Sequence, residues 1–267
     1  MPDGRLYLGT RRYSSWSMRG WLAVRLAGLD VEDVVIPLNA MEAGGTPAVA
    51  AVSPSGMVPY LEHRGIAVWD SLAIVEYCAE LSSGLWPADL PTRTRARSIS
   101  AEMHAGFRAL RMAMPMVLGP QAPGANQTPA ALADIARIEA IWRETRAVFG
   151  AGGPFLFGRN FNAADAMFAP VVARLLAYLP PVAADTRAYC DAVRTYSLVS
   201  AWYDAAAEEP LAWRAPEALG SSANTSRLRD RLRLRLRDRE RRLPRSLRPR
   251  SSLRSRLRER EERRERR

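Results

Sequence analysis

Lysine is absent from this 267-residue chain, and all 39 of its cationic side chains are arginine. Because Arg runs through the body of the sequence as well as its end, the absence reads as compositional bias rather than as recognition chemistry. Cysteine is scarce too. Cys78 and Cys190 lie far apart, each within a helix-like run, which excludes a disulfide framework and favours small buried residues over a redox pair. No apolar run approaches the roughly eighteen residues of a membrane span, and Arg5, Arg11, Arg12 and Arg19 interrupt the region where a secretory leader needs an apolar stretch. The expectation is a cytoplasmic chain in a reducing compartment, with no membrane partner.

What is present is an apolar fraction of 48 %, sufficient for a substantial core, in a length that accommodates one large domain or two ordinary ones. The formal charge of +11 is unevenly spread. Residues 227–267 hold twenty Arg against seven Asp and Glu, a net of +13, which leaves residues 1–226 near −2. From Ser221 onward Arg and Leu alternate, Ser, Pro and Glu intrude, and aromatics are missing. Such a segment, 221–267, buries too little apolar area to offset its chain entropy and is expected to be disordered or loosely helical. It offers phosphate contacts, but no stacking residues and no folded motif, so nucleic acid would bind only nonspecifically, and an extension without a selected role is the simpler reading.

The patterning divides the remainder in two. Within residues 1–82, Leu6–Gly9 reads as a strand, Trp16–Ala27 as a helix stopped by Gly28, Val31–Leu38 as a second strand, and 44–55 as a weak helix and loop. Val58–Glu62 and Ile66–Trp69 form a hairpin around His63-Arg64-Gly65, and Ser71–Leu81 closes an α/β layer whose first crossover is expected to be right-handed. After a linker with Gly84, Pro87 and Pro91, strand signals cease. Residues 92–216 read as an all-helical domain, with helices over Thr92–Met116, Pro129–Phe149, Ala163–Tyr178 and Ala188–Glu208.

Two segments carry chemistry. Tyr13-Ser14-Ser15-Trp16-Ser17-Met18-Arg19 follows the first strand and opens the first helix, so its serines stand where unpaired N–H groups and the helix dipole favour an anion such as a thiolate. The same serines also serve as ordinary N-caps. In the second segment, Val58-Pro59 precedes a strand, where Pro has no N–H for the ladder, and Asp70-Ser71 begins a helix that can receive a carboxylate at its positive end. A turn proline and an N-cap aspartate are the plainer alternatives.

Together these strings resemble the glutathione site of the glutathione transferase family, in its serine-type, zeta-like bacterial branch, over about residues 5–215. The resemblance implies a thioredoxin-like α/β domain followed by an all-helical domain, a cis Val58–Pro59 peptide, glutathione as co-substrate, no metal, and a homodimer. It makes Ser14 the catalytic hydroxyl that lowers the thiol pKa, and Ser15, Val58, Pro59, Asp70 and Ser71 the glutathione cradle. Val58 would pair with the cysteinyl backbone, and Ser71 and Asp70 with the γ-glutamyl carboxylate and ammonium. Most of the family has Glu where Asp70 stands, and zeta-class maleylacetoacetate isomerases usually have Cys where Trp16 stands. The implied activity is attack of the thiolate on a small electrophile, with glutathione-dependent cis-trans isomerisation and non-catalytic binding as the alternatives.

Further along, Asn162 and Asp165 have the spacing of a capping box, a folding element rather than a catalytic one. His104, Arg108 and Arg111, three and four residues apart on the expected long helix, present a cationic face followed by Met112, Met114, Pro115 and Met116. With Trp16 they form the expected second-substrate pocket, suited to an apolar electrophile that bears an oxyanion. Solvated arginines with methionines in the core would leave the same pattern.

Overall fold

The computed structural model describes residues 1–38, 46–119 and 123–213; the arginine-rich segment 221–267 and residues 44–45 of the expected weak helix and loop lie outside these. In the first part the order is β1 (Gly4–Gly9), α1 (Ser15–Leu26), β2 (Glu32–Ile36), α2 (Pro47–Ala50), β3 (Tyr60–His63), β4 (Ile66–Val68) and α3 (Ser71–Leu81). The four strands make one mixed sheet in the order β2-β1-β3-β4. β1 runs parallel to β2, with Leu8 opposite Val35, and antiparallel to β3, with Leu6 opposite Leu61. This is the thioredoxin-like domain expected from the sequence.

Period-two alternation decides which face is covered. Leu6, Leu8 and Leu61 are fully buried within the main core, which also takes in residues of α1 and α3, whereas Tyr7 and Tyr60 join Ile36 and Val49 in a separate small cluster. Pro59 stays outside the ladder, which begins at Tyr60 rather than at Val58, because a residue without an N–H cannot donate to β1. Helix α1 ends as expected, with Gly28 at φ 69°.

The second part is helical: α4 (Leu90–Ala105), α5 (Arg108–Ala113), α6 (Pro129–Phe149), α7 (Ala163–Tyr178), α8 (Ala184–Thr195), α9 (Ser197–Ala207) and a 3₁₀ turn at Leu211–Trp213. Two expected long helices are broken. The one over Thr92–Met116 stops at Gly106, after which Phe107 takes a left-handed φ of 60° with its ring buried, and the chain restarts as α5. Burial of that aromatic ring compensates for the strained backbone. The one over Ala188–Glu208 begins earlier, at Ala184, and is cut at Tyr196, which stacks on Phe161 at 4.1 Å between ring centroids.

Helix α7 is the hub of this half, buried over nearly all of its length and packed against α1, α4 and α8. Its start is the expected capping box: Asn162 Oδ1 accepts from the Ala164 N–H at 2.8 Å, and Asp165 Oδ2 accepts from the Asn162 N–H at 3.1 Å. Both cysteines are buried and free, with thiols pushed up to about 12 by burial, as befits small core residues rather than nucleophiles. Among the described residues no helix is long and apolar enough to cross a membrane.

Candidate functional site

The loop from β1 to α1 is held by backbone and by a distant carboxylate. Ser14 N–H and Tyr13 N–H both donate to Thr10 O, at 2.9 and 3.0 Å, which folds the chain back before the helix. Glu209, beyond α9, is 7 % exposed, and its carboxylate accepts from the Arg11 N–H at 2.6 Å and the Arg12 N–H at 3.4 Å. Arg12 meets Leu118 in a reciprocal pair: its Nη1 donates to Leu118 O at 2.5 Å and its carbonyl accepts from the Leu118 N–H at 3.1 Å. The loop is therefore set by contacts from across the helical domain.

Ser14 is the N-cap of α1. Its Oγ accepts from the Ser17 N–H at 3.3 Å and its hydroxyl donates to Ser17 Oγ at 2.7 Å, while Ser17 Oγ also accepts from the Gly9 N–H at 2.9 Å. Ser15 follows in the first turn, where its hydroxyl receives Arg174 Nη2 at 3.3 Å. Both serines are nearly buried, at 7 % and 6 % exposure, beside the positive end of a twelve-residue helix.

The second segment converges on the same end of the sheet. The Val58–Pro59 peptide is cis. Gly20 of α1 faces Pro59 so closely that a Cβ there would lie 2.9 Å from Pro59 Cγ, and only glycine lets the helix approach this near. Asp70 caps α3, with Oδ1 accepting from Leu72 N–H at 3.0 Å and Ala73 N–H at 3.5 Å. Ser71 is fully buried in the first turn, and its hydroxyl has no hydrogen-bond partner among the described residues.

A cationic group completes the surroundings of α1. Arg19, fully buried, donates from Nε to Met167 O at 2.8 Å, and its two terminal nitrogens have no hydrogen-bond partner among the described residues. Arg174, 3 % exposed, donates to Met114 O and Pro170 O at 2.9 Å each. Arg111 donates to Gly106 O at 3.0 Å and to Met103 O. The guanidinium carbons of Arg19 and Arg111 lie 4.7 and 4.6 Å from the ring centroid of Trp16, a stacking that offsets part of the desolvation. None of the three forms an ion pair with a carboxylate among the described residues. Burial, reinforced by their mutual repulsion, lowers Arg19 well below the usual guanidinium range and Arg174 to about 9. Arg174, at about 9, remains charged at neutral pH, and an anion at this group would offset the cost of burying cations without a carboxylate beside them.

The residues expected from sequence fall unevenly onto this geometry. Ser14, Ser15, Trp16 and Arg111 share one neighbourhood, while Val58, Pro59, Asp70 and Ser71 line the adjoining segment. His104 meets Asp70, with 3.0 Å from Nε2 to Oδ2, and its ring lies edge-on to Trp16 at 5.1 Å. Arg108 is not brought in: the break at Phe107 leaves it exposed at the start of α5. Met114 and Met116 belong to the core and Met112 is 71 % exposed, so an adaptable methionine wall does not form. Sequence reading missed Arg19 and Arg174 as site components, and Glu209 as the clamp of the loop. A partial signal was present for Arg174, the single cation of the otherwise apolar helix α7, whereas Arg19 shares α1 with Arg25.

The comparisons with known proteins bear on the family and the fold. The models of the glutathione S-transferase N-terminal and C-terminal domains match residues 13–81 and 121–205. The chain belongs to the glutathione S-transferase family. It is 30 % identical over 177 residues to the maleylacetoacetate isomerase of Rattus norvegicus, spanning 63 % of this chain and 76 % of that one. To the maleylacetoacetate isomerase of Rhizobium meliloti (strain 1021) it is 39 % identical over 89 residues, 33 % of this chain and 41 % of that one. Among solved structures it resembles a glutathione transferase homolog from Burkholderia with bound glutathione, at TM-score 0.59 and 23 % identity, covering 77 % of this chain and 99 % of that one. A holo maleyl pyruvate isomerase, described as a bacterial zeta-class glutathione S-transferase, gives TM-score 0.58 and 22 % identity with the same coverages. At these identities the solved structures speak to the fold.

Proposed function

We propose that this chain binds glutathione, holds its thiol as a thiolate, and directs it at a small electrophile that carries a carboxylate. The observation that carries the reading is the pair Ser14-Ser15 at the positive end of α1, next to three arginines without a carboxylate partner among the described residues. A thiolate at the helix N-terminus gains from the dipole and from a serine hydroxyl, and a hydrogen bond to a charged acceptor is worth about 1.5–3 kcal/mol, enough to lower a thiol pKa by one or two units. The thiol proton leaves to solvent. The sulfur then forms a bond to the electrophilic carbon, and the arginine group neutralises the substrate carboxylate and the charge that develops beside it.

Conjugation is the first reading. Cis-trans isomerisation is the second, favoured by the relatives named maleylacetoacetate isomerase; there the thiolate adds to a C=C bond, the resulting single bond rotates, and the C–S bond breaks to return glutathione. We further propose a cytoplasmic homodimer, for which sedimentation at several concentrations is the test.

Calorimetric titration with glutathione comes first, followed by proton NMR of a cis-unsaturated dicarboxylic acid incubated with protein and glutathione. Glutathione adducts favour conjugation, and trans product with glutathione unconsumed favours isomerisation. Binding without either would support a regulatory protein, and absence of glutathione binding would overturn the proposal.

A further inference from the structure

The contact between His104 and Asp70 gives His104 a different task from the one its sequence position implies. His104 sits in the last turn of α4, in the helical domain, and Asp70 is the N-cap of α3, in the thioredoxin-like domain. Asp70 divides its carboxylate: Oδ1 is consumed by the Leu72 and Ala73 N–H groups of its own helix, and Oδ2 lies 3.0 Å from His104 Nε2. The imidazole is held from other sides, its ring edge-on to Trp16 at 5.1 Å. Its side chain is only 23 % exposed, and Nδ1 is buried with no hydrogen-bond partner among the described residues. With an N–H at Nε2 facing the carboxylate, the neutral tautomer leaves only a lone pair at Nδ1, the less costly atom to bury without a partner.

We infer that His104 is a positioning residue of the glutathione site, which fixes Asp70 Oδ2 so that one carboxylate oxygen serves both the imidazole N–H and the γ-glutamyl ammonium. The inference rests on the reading of Asp70-Ser71 as the γ-glutamyl subsite. Two features support it. A carboxylate oxygen has two lone pairs, and Oδ2 of Asp70 gives one to His104, leaving the other on a side chain that is 58 % exposed. The imidazole in turn is wedged by Trp16 and cannot follow a wandering carboxylate.

The test is calorimetric binding of glutathione, and of the analogue lacking the γ-glutamyl amino group, to the parent and to His104→Ala, His104→Gln and Asp70→Asn. His104→Ala should weaken glutathione about tenfold, the usual order for one charge-assisted hydrogen bond, raise KM for glutathione and leave kcat at saturation unchanged. The analogue should bind parent and His104→Ala alike, because it has no ammonium to orient. His104→Gln, which can return an N–H to Asp70, should recover most of the loss, a result that a merely structural role would not give. In the Asp70→Asn background, which keeps the cap acceptor, His104→Ala should cost nothing further. Equal glutathione affinity in parent and His104→Ala overturns the inference, as does tighter binding in the variant, which would make His104 a competitor for Oδ2. Failure of the parent itself to bind glutathione defeats the functional reading instead, so the two failures are separable.

Discussion

Ser15 Oγ and Arg174 Nη2 lie 3.3 Å apart although 159 residues separate them in sequence. The contact joins the first turn of α1, in the thioredoxin-like domain, to the C-terminal half of the central helix of the other domain, and it brings a buried cation to the place where a thiolate would sit. Arg174 also ties down Met114 O and Pro170 O, so its position is fixed before any substrate arrives.

That geometry predicts a substrate-dependent effect. Arg174→Lys keeps a positive charge but loses the fork that spans three acceptors. It should lower kcat/KM for a carboxylate-bearing electrophile tenfold or more, about 1.4 kcal/mol, and affect a neutral aryl halide less. Equal losses for the two substrates, measured in parallel steady-state assays, would remove Arg174 from substrate recognition.

Ser14 serves as cap and as proposed activator, and the two roles separate in one variant. Ser14→Ala should cost about 1 kcal/mol of stability through the lost cap. Turnover with an aryl halide should also fall tenfold or more, with glutathione affinity within a few-fold of the parent. A turnover number unchanged at saturating substrates would leave Ser14 with capping alone.

The unpartnered hydroxyl of Ser71 makes a cleaner case. A buried hydroxyl without a partner contributes little to the folded chain, so Ser71→Ala should unfold in urea at or slightly above the midpoint of the parent. Glutathione binding should nevertheless weaken by about tenfold, because the hydroxyl is proposed to meet the γ-glutamyl carboxylate. Loss of stability together with unchanged affinity would reverse the assignment.

Asp165 gives the fold a pH dependence of definite sign. Burial raises its carboxyl from an ordinary value of 3.8 to about 6, despite donation from the Leu156 and Asn162 N–H groups and the Tyr189 hydroxyl. Between those values the folded chain keeps a proton that the unfolded chain has lost. This contribution is therefore fully present below about pH 4 and is lost as pH rises through about 6, an effect of about 3 kcal/mol. Asp165→Asn should flatten that part of the stability curve while lowering stability overall, since an amide accepts through one oxygen only. Urea midpoints at pH 4.5 and 7 that differ equally in parent and variant would count against Asp165 as the source.

Much of this was legible in the chain because it is written in local chemistry. The bounds of Ser71–Leu81, Pro129–Phe149 and Ala163–Tyr178 follow from caps, an N-terminal proline and apolar period, and the helices coincide with them. The capping box at Asn162 is likewise a local signal, whereas the cis peptide before Pro59 followed from the family resemblance. The breaks at Phe107 and Tyr196 were not legible, because neither carries a helix-breaking residue of its own and each is decided by where an aromatic ring finds a partner. Gly106 alone hinted at the first. Arg19 and Arg174 escaped notice for the same kind of reason: an arginine in an apolar helix is equally compatible with a surface stripe, and only the packing of α1 against α7 turns both inward.

The clamp that Glu209 places on the Arg11 and Arg12 N–H groups spans nearly 200 positions of the chain. A ribosome would have released almost the whole described chain before this carboxylate could reach its partners. Closing so long a loop comes late in folding, because its entropy must be met before the contact gives anything back. The serine loop is then the last part of the proposed glutathione site to take its shape, and catalytic competence on refolding should lag behind the recovery of helix and sheet.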